Sequence, residues 1–337
     1  MSMLTLLKDP AGLKYNALAI AYITGTYLFG WYGLFSDQLS LNIVATMALA
    51  HSMIIAAYLL HDCGHNAIFR SAQHNAYLGY ALNWITGSCY GRYEDIRYKH
   101  MRHHVDNCDP VSFDYRNFLR KHPILERLVF ALEWAYIPAV EFMMHSMLIL
   151  APWFLPSKAK QKTRVARVVI IRGALLIAVA ATSLKALLLY ALAQVLLLTV
   201  LRFMDCYQHN YEVIFNLDDP QAKFPHRGNA EFEQANTYSN LLSRRWPWIN
   251  LLVLNFCYHN AHHEKPVLGW YRLPALHREM GDALAPQTLS FYDQAKCFHR
   301  YRLQRIYAED YGNDEVKASV EAGKAVGVDA LSFLTAF

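Results

Sequence analysis

The chain is poor in charge and has no paired cysteines. Charged residues make up 18% of its 337 positions, against about 25% in an ordinary soluble domain. Its six cysteines, Cys63, Cys89, Cys108, Cys206, Cys257 and Cys297, stand singly without a CxxC pair. That excludes a disulfide framework and predicts reduced thiols in a cytosolic setting. The net charge is +5, yet the basic residues form no domain of their own and no groove-reading motif occurs, so nucleic acid is excluded as a partner. Lys8, Asp9 and Pro10 precede the first long apolar run without a small-residue cleavage site, and no removable signal peptide is expected. Internal repeats and low-complexity tracts are also missing.

Apolar residues are abundant, at 54% of the chain. They gather in four runs, at about 15–35, 41–60, 165–184 and 186–204. Each run is near the ~20 residues that cross a bilayer as a helix. Only 36–40 separates the first two, and Thr182-Ser183-Leu184-Lys185 divides the last two, so two helical hairpins are predicted. The run 76–90 is too short to span comfortably, and Glu133 and Glu141 interrupt the one at 128–155. Interfacial helices with breaks at Pro138, Pro152 and Pro156 are expected there, and another at 246–258. Lys158, Lys160, Lys162, Arg164, Arg167 and Arg172 anchor one side of the second hairpin, while the two external turns carry only Lys185. By the positive-inside rule both termini, 61–164 and everything after about 205 are cytoplasmic.

Three histidine clusters fall on that same side. His61 and His65 are four apart; His100, His103 and His104 repeat their spacing in His259, His262 and His263. On a helix these offsets put the imidazoles of each cluster on one face. One such pair is most often only a wet histidine at an interface, but three clusters on one side of a membrane point to metal. Eight histidines exceed the four to six ligands of one ion, so two ions are expected. Asp205 and His209, four apart at the end of the fourth run, add a ninth histidine by position and a carboxylate for direct or indirect contact. His51, His74, His122, His145, His226, His277 and His299 read as solvated, core or hydrogen-bonding histidines.

The segments His61-Asp62-Cys63-Gly64-His65, His100-Met101-Arg102-His103-His104 and His259-Asn260-Ala261-His262-His263 resemble the three histidine boxes of the integral-membrane fatty acid desaturase superfamily. Gly269-Trp270-Tyr271-Arg272-Leu273-Pro274 is similar to the segment that often follows the third box. The resemblance covers roughly residues 41–280 and implies an all-α integral membrane fold, four transmembrane helices carrying a cytoplasmic helical cap at 61–164 and 205–312. It implies one domain over 1–337, with a tail at 313–337 that reads as weakly packed. It further implies a non-haem di-iron centre held by His61, His65, His100, His103, His104, His209, His259, His262 and His263, using O2 and two electrons on an unactivated C–H bond. Spacing alone would equally permit zinc. Asp62, Asp106, Asp109, Asp205 and Glu264 are candidate acceptors for imidazole N–H groups, or else solvated acids.

The expected substrate is a fatty-acyl lipid, acyl-CoA, acyl carrier protein conjugate or free fatty acid, and the expected reaction is desaturation. Hydroxylation or a decarboxylation that forms a terminal alkene would use the same ligands. No HPGG haem motif occurs, so electrons are expected from a separate ferredoxin, rubredoxin or cytochrome b5. Arg92, Arg97, Lys99 and Arg102 offer either a docking patch for an acidic donor or contacts to phospholipid headgroups. A metal transporter or haem cytochrome would place its ligands within the spans, where only His51 and His145 come near.

Overall fold

A computed structural model of the chain describes residues 3–206, 208–209, 211, 214–307 and 333–336. After the single turn α1 (Met3–Leu6), α2 (Gly12–Leu34) and α3 (Leu39–Gly64) form a hairpin. The 26 residues of α3 extend roughly 39 Å at about 1.5 Å each, more than the ~30 Å hydrocarbon core. Asn42 closes the hairpin. Its buried amide donates to Gly33 O (2.7 Å) and Ser36 O (2.9 Å), one carbonyl in the last turn of α2 and one in the turn that follows.

Helices α9 (Lys162–Thr182), led in by a 3-10 turn at Pro156–Gln161, and α10 (Leu184–Asp205) form a second hairpin. Ser183 ends the first and caps the second, its hydroxyl accepting from Ala186 N–H at 3.1 Å. Lys185 donates to Ser36 O, which places the turns of the two hairpins side by side. Leu39–Gly64, Pro156–Thr182 and Leu184–Asp205 are long and apolar enough to cross a membrane. Helix α2 has the length, 23 residues, but Lys14, Asn16, Thr24, Thr26 and four tyrosines dilute its apolar character. The α9 segment turns Ile170, Ile171, Leu175 and Ile177 outward, a surface that belongs against lipid.

Small residues set how closely the first hairpin packs. A Cβ at Gly30 would stand 2.7 Å from Leu49 Cβ and 3.1 Å from Ala45 O, both on α3. Gly30→Ala is expected to cost roughly 1–3 kcal/mol by overpacking, seen as a lower midpoint of thermal unfolding in detergent. Gly25→Ala, with nothing within 4 Å of its Cβ, is the control and should not lower that midpoint.

Between the hairpins, α4 (Ala72–Thr86) lies along α3 and ends at Gly87, whose φ of 84° is a left-handed cap. Helix α5 (Tyr93–Asp106) ends at Asn107, also left-handed at φ 51°, whose amide donates to His226 O and Asn229 O at 2.8 and 3.0 Å. Three further helices follow: α6 (Tyr115–Arg120), α7 (Pro123–Trp134) and α8 (Ala139–Phe154). Pro138 separates α7 from α8 as expected, whereas Pro152 lies inside the last turn of α8 without ending it. Glu133, expected as a charge that keeps its helix at the interface, is 1% exposed. It pairs with Arg202 of α10 (3.0 Å) and Arg305 (3.7 Å), and accepts from Val140 N–H at 3.0 Å. That contact ties α7 to the second hairpin.

After α10 come α11 (Ala230–Ala235), α12 (His259–Glu264), α13 (Leu273–Met280) and α14 (Phe291–Arg300). Two short parallel strand pairs join distant segments: β1 (Asp109–Val111) with β2 (Ile214–Asn216), and β3 (Ser239–Leu241) with β4 (Thr288–Ser290). The helix expected over 246–258 is instead a 3-10 turn at Pro247–Val253 followed by Leu254 and Asn255 at φ 49° and 59°. Buried Asn250 causes this. It bonds Ser243 N–H (3.1 Å), Ser243 O (3.0 Å) and the Tyr258 hydroxyl (2.9 Å), folding the segment back on itself. Of the tail expected to be weakly packed, 313–332 and 337 lie outside the described residues, while Phe333–Ala336 is packed into the main core.

Candidate metal centre

The C-terminal end of α3, the last turns of α5 and all of α12 meet. Helical spacing puts His100 and His104 on one side of α5 and turns His103 toward its neighbour; α12 divides His262 from His259 and His263 in the same way. The nine histidines form two groups. His61, His65, His100, His104 and His262 bring ligand atoms within 4.8 Å of one another, and so do His103, His209, His259 and His263. The groups share a wall, where the rings of His104 and His263 stack at 4.1 Å.

The contacts within each group are made by Nε2 atoms facing Nε2 atoms. His65 meets His100 at 2.7 Å, and His104 meets His100 and His262 at 3.1 Å. In the second group His209 meets His259 at 2.7 Å and His103 at 2.9 Å, and His259 meets His263 at 3.1 Å. Two imidazoles that hold their hydrogens on Nδ1 cannot bond each other through Nε2; their lone pairs repel unless a cation lies between. Bonds of about 2.1 Å at right angles set neighbouring donors roughly 3 Å apart, so these spacings fit the edges of a metal's coordination shell. Both ring nitrogens of His61 are buried without a hydrogen-bond partner, as an unused ligand would be.

In the smaller group three outward nitrogens support this tautomer. His103 Nδ1 donates to Cys108 O at 2.9 Å, His209 Nδ1 faces Thr237 Oγ1 at 3.4 Å, and His263 Nδ1 donates to Glu233 Oε1 at 2.6 Å. Burial lowers the basicity of His65, His100, His104, His209, His259, His262 and His263, and neighbouring imidazoles push in the same direction. They are therefore held neutral, the state in which imidazole binds a metal. No cysteine belongs to either group among the described residues, although Cys63, Cys108, Cys206 and Cys257 are buried nearby. A donor set of neutral nitrogen suits iron, zinc, copper or nickel.

The carboxylates divide differently from expectation. Spacing predicts Asp205 and His209 on one helix face, but α10 stops at Asp205, and His209 lies beyond it in a bridge to Thr237. Asp205 is buried outside both groups. Asp62 accepts from Trp270 N–H at 3.1 Å and stands 3.7 Å from His61 Nδ1. Asp106 faces Arg102 and Arg227 rather than an imidazole, and exposed Glu264 meets Gln234 at 3.5 Å. Asp109 lies 3.4 Å from His103 Nδ1. The patch predicted from Arg92, Arg97, Lys99 and Arg102 dissolves as well. Lys99 is buried, Arg97 donates to Gly64 O at 2.9 Å, Arg102 pairs with Asp106, and only Arg92 is exposed, paired with Asp95.

Glu233 on α11 was not among the sequence candidates. It bonds His263 of one group and lies 3.7 Å from His104 Nδ1 of the other, and burial raises its carboxyl to about 7 while His103 pulls the other way. Nothing local marks it, because α11 reaches the centre only through the fold. Removing such an outer partner typically costs about 10–100-fold in metal affinity or activity. Glu233→Ala is expected to lose that much metal retention against a chelator, with Glu233→Gln between it and the parent.

The histidines outside the two groups serve elsewhere. His51 bonds the Tyr22 hydroxyl and Leu252 O, His122 bonds Phe118 O, His145 bonds Glu141 O, and His299 bonds Tyr136. Residues 39–295 match a family model described as Fatty acid desaturase. The chain belongs to the fatty acid desaturase family. No curated protein matches it as a nearer relative. Family membership makes it an oxidoreductase of fatty-acyl chemistry, and its membrane-length helices make it a membrane protein. The histidine groups suit a metal site, in keeping with that family.

Proposed function

We propose that this desaturase-family chain inserts a C=C bond into a fatty-acyl lipid, using O2 and two irons, one in each histidine group. The observation that carries the reading is the pairing of two adjacent, buried, all-imidazole groups over membrane-length helices. His61, His65, His100, His104 and His262 would hold one ion, and His103, His209, His259 and His263 the other. When bound, the irons supply oxidising power from O2 toward a C–H bond. The chain's own residues supply placement and dryness. Glu233, Cys108 O and Thr237 fix the tautomers of His263, His103 and His209 from outside. Phe256, stacked on Tyr58 at 4.5 Å, sets its ring 4.9 Å from His61 and 5.1 Å from His259, excluding water from that side.

The same reading takes α2 as the fourth span, treats 1–337 as one domain, and places both termini and the centre in the cytoplasm. Electrons come from a separate ferredoxin, rubredoxin or cytochrome b5. The test is mass spectrometry of lipids from cells expressing the chain beside a His103→Ala control. Acyl chains lighter by two hydrogens, absent from the control, are the expected result. An added oxygen or a terminal alkene would put hydroxylation or decarboxylation in its place, and lipids identical to the control would sink the oxidoreductase reading.

A further inference from the structure

The segment Phe333–Ala336 lies inside the protein against the metal centre. Phe333 is 9% exposed, and Leu334, Thr335 and Ala336 are fully buried. The Phe333 ring sits 5.6 Å from the ring of His61 and 6.0 Å from that of His100. From there the segment reaches Lys99, whose ammonium donates to Thr335 O (3.3 Å) and Thr335 Oγ1 (3.1 Å). It then reaches Gly91, where a Cβ would stand 2.7 Å from Ala336 O. Phe333, Leu334 and Ala336 share the apolar core with Leu60, Leu82 and Tyr93.

A linear alkyl chain needs a narrow apolar space that ends at the metals. Around His61 one apolar side is closed by Phe256 on Tyr58, rings fixed within the packed core. The other is filled by Phe333, and the residues from 333 to 336 lie in no helix or strand. Their departure would break no helical or sheet hydrogen-bond ladder. We propose that this space is the acyl-chain site, and that Phe333–Ala336 is a built-in occupant which the substrate's chain displaces.

The inference rests on the fatty-acyl reading above and adds that substrate and segment exclude each other. A site vacant a tenth of the time binds its ligand about tenfold more weakly than an open one. Gly91 supplies the means of opening it. Gly91→Ala sets a methyl against Ala336 O, while the next neighbours, Leu148 Cδ2 and Cδ1, stay at 3.4 and 3.7 Å.

The test uses the full metal-loaded chain in nanodiscs of branched diphytanyl lipid, titrated with stearate as a linear probe. Hydrogen exchange at the amides of 334–336 should be slow without stearate and at least roughly tenfold faster at saturation. Gly91→Ala, and separately a chain stopped after Ser332, should bind stearate about tenfold more tightly with metal content unchanged. Exchange that stays slow at every stearate concentration would overturn the proposal. So would unchanged affinity in both variants, or joint loss of stearate binding and metal in the stopped chain, which would make the segment a wall of the site. If stearate frees the segment while cellular lipids match the His103→Ala control, the acyl site stands and the redox assignment falls. Lipid products without release of the segment would do the reverse.

Discussion

His209→Ala is expected to abolish turnover and to lower bound metal from about two ions to about one per chain. The smaller group has four imidazoles, and His209 Nε2 lies between those of His259 and His103, at 2.7 and 2.9 Å. Its loss leaves three neutral donors where the other group keeps five. His61→Ala leaves four in the larger group and should retain more metal than His209→Ala, which ranks the two groups by redundancy. Metal analysis of purified protein beside a turnover assay reads both effects. His122→Ala, exposed and bonded only locally to Phe118 O, should match the parent. Full metal and activity in His209→Ala would remove His209 from the ligand set.

The largest expected loss of stability comes from Glu133. Its carboxylate is buried between Arg202 and Arg305, each 2% exposed. Removing one partner of a buried pair strands the other charge, and Glu133→Leu is expected to cost roughly 3–5 kcal/mol. Thermal unfolding in detergent should show a drop well beyond that of Gly30→Ala. Arg202→Met in the same chain should restore part of it, because one stranded charge goes with it; Arg305 remains, so full recovery is not expected. An additive double variant would mean that the pair is not coupled. The group lies outside both histidine groups, so metal bound per folded chain should not change.

The histidines were legible because each cluster is local: four residues of helix bring His100 and His104, or His259 and His263, into one group, and that spacing is written in the sequence. The helical hairpins were legible for the same reason, since length and apolar content set them residue by residue. Glu233 was not legible, because its value lies in meeting His263 and His104 across segments far apart in the chain. Lys99 reads as a surface cation by type, yet α5 turns it inward to Thr335. Asp205 shows the limit of spacing arguments: four residues from His209 means one face only if the helix continues, and α10 stops. Asn250 likewise replaces an expected helix with a fold-back, through side-chain bonds that no periodicity reports.

The strand pairs carry a consequence for how the protein is made. β1 follows the second histidine cluster directly and pairs with β2, about a hundred residues later, just after His209. β3 and β4 fasten the segment around the third cluster only once residue 290 exists. Contacts of such long sequence separation form late. A nascent chain therefore displays His61, His65, His100, His103 and His104 before their partners are synthesised. In that interval the ions with the highest intrinsic affinity for imidazole, copper and zinc, hold the advantage over the iron proposed for the centre. Correct metallation is then a matter of timing: the finished arrangement, not the first five ligands, has to do the choosing.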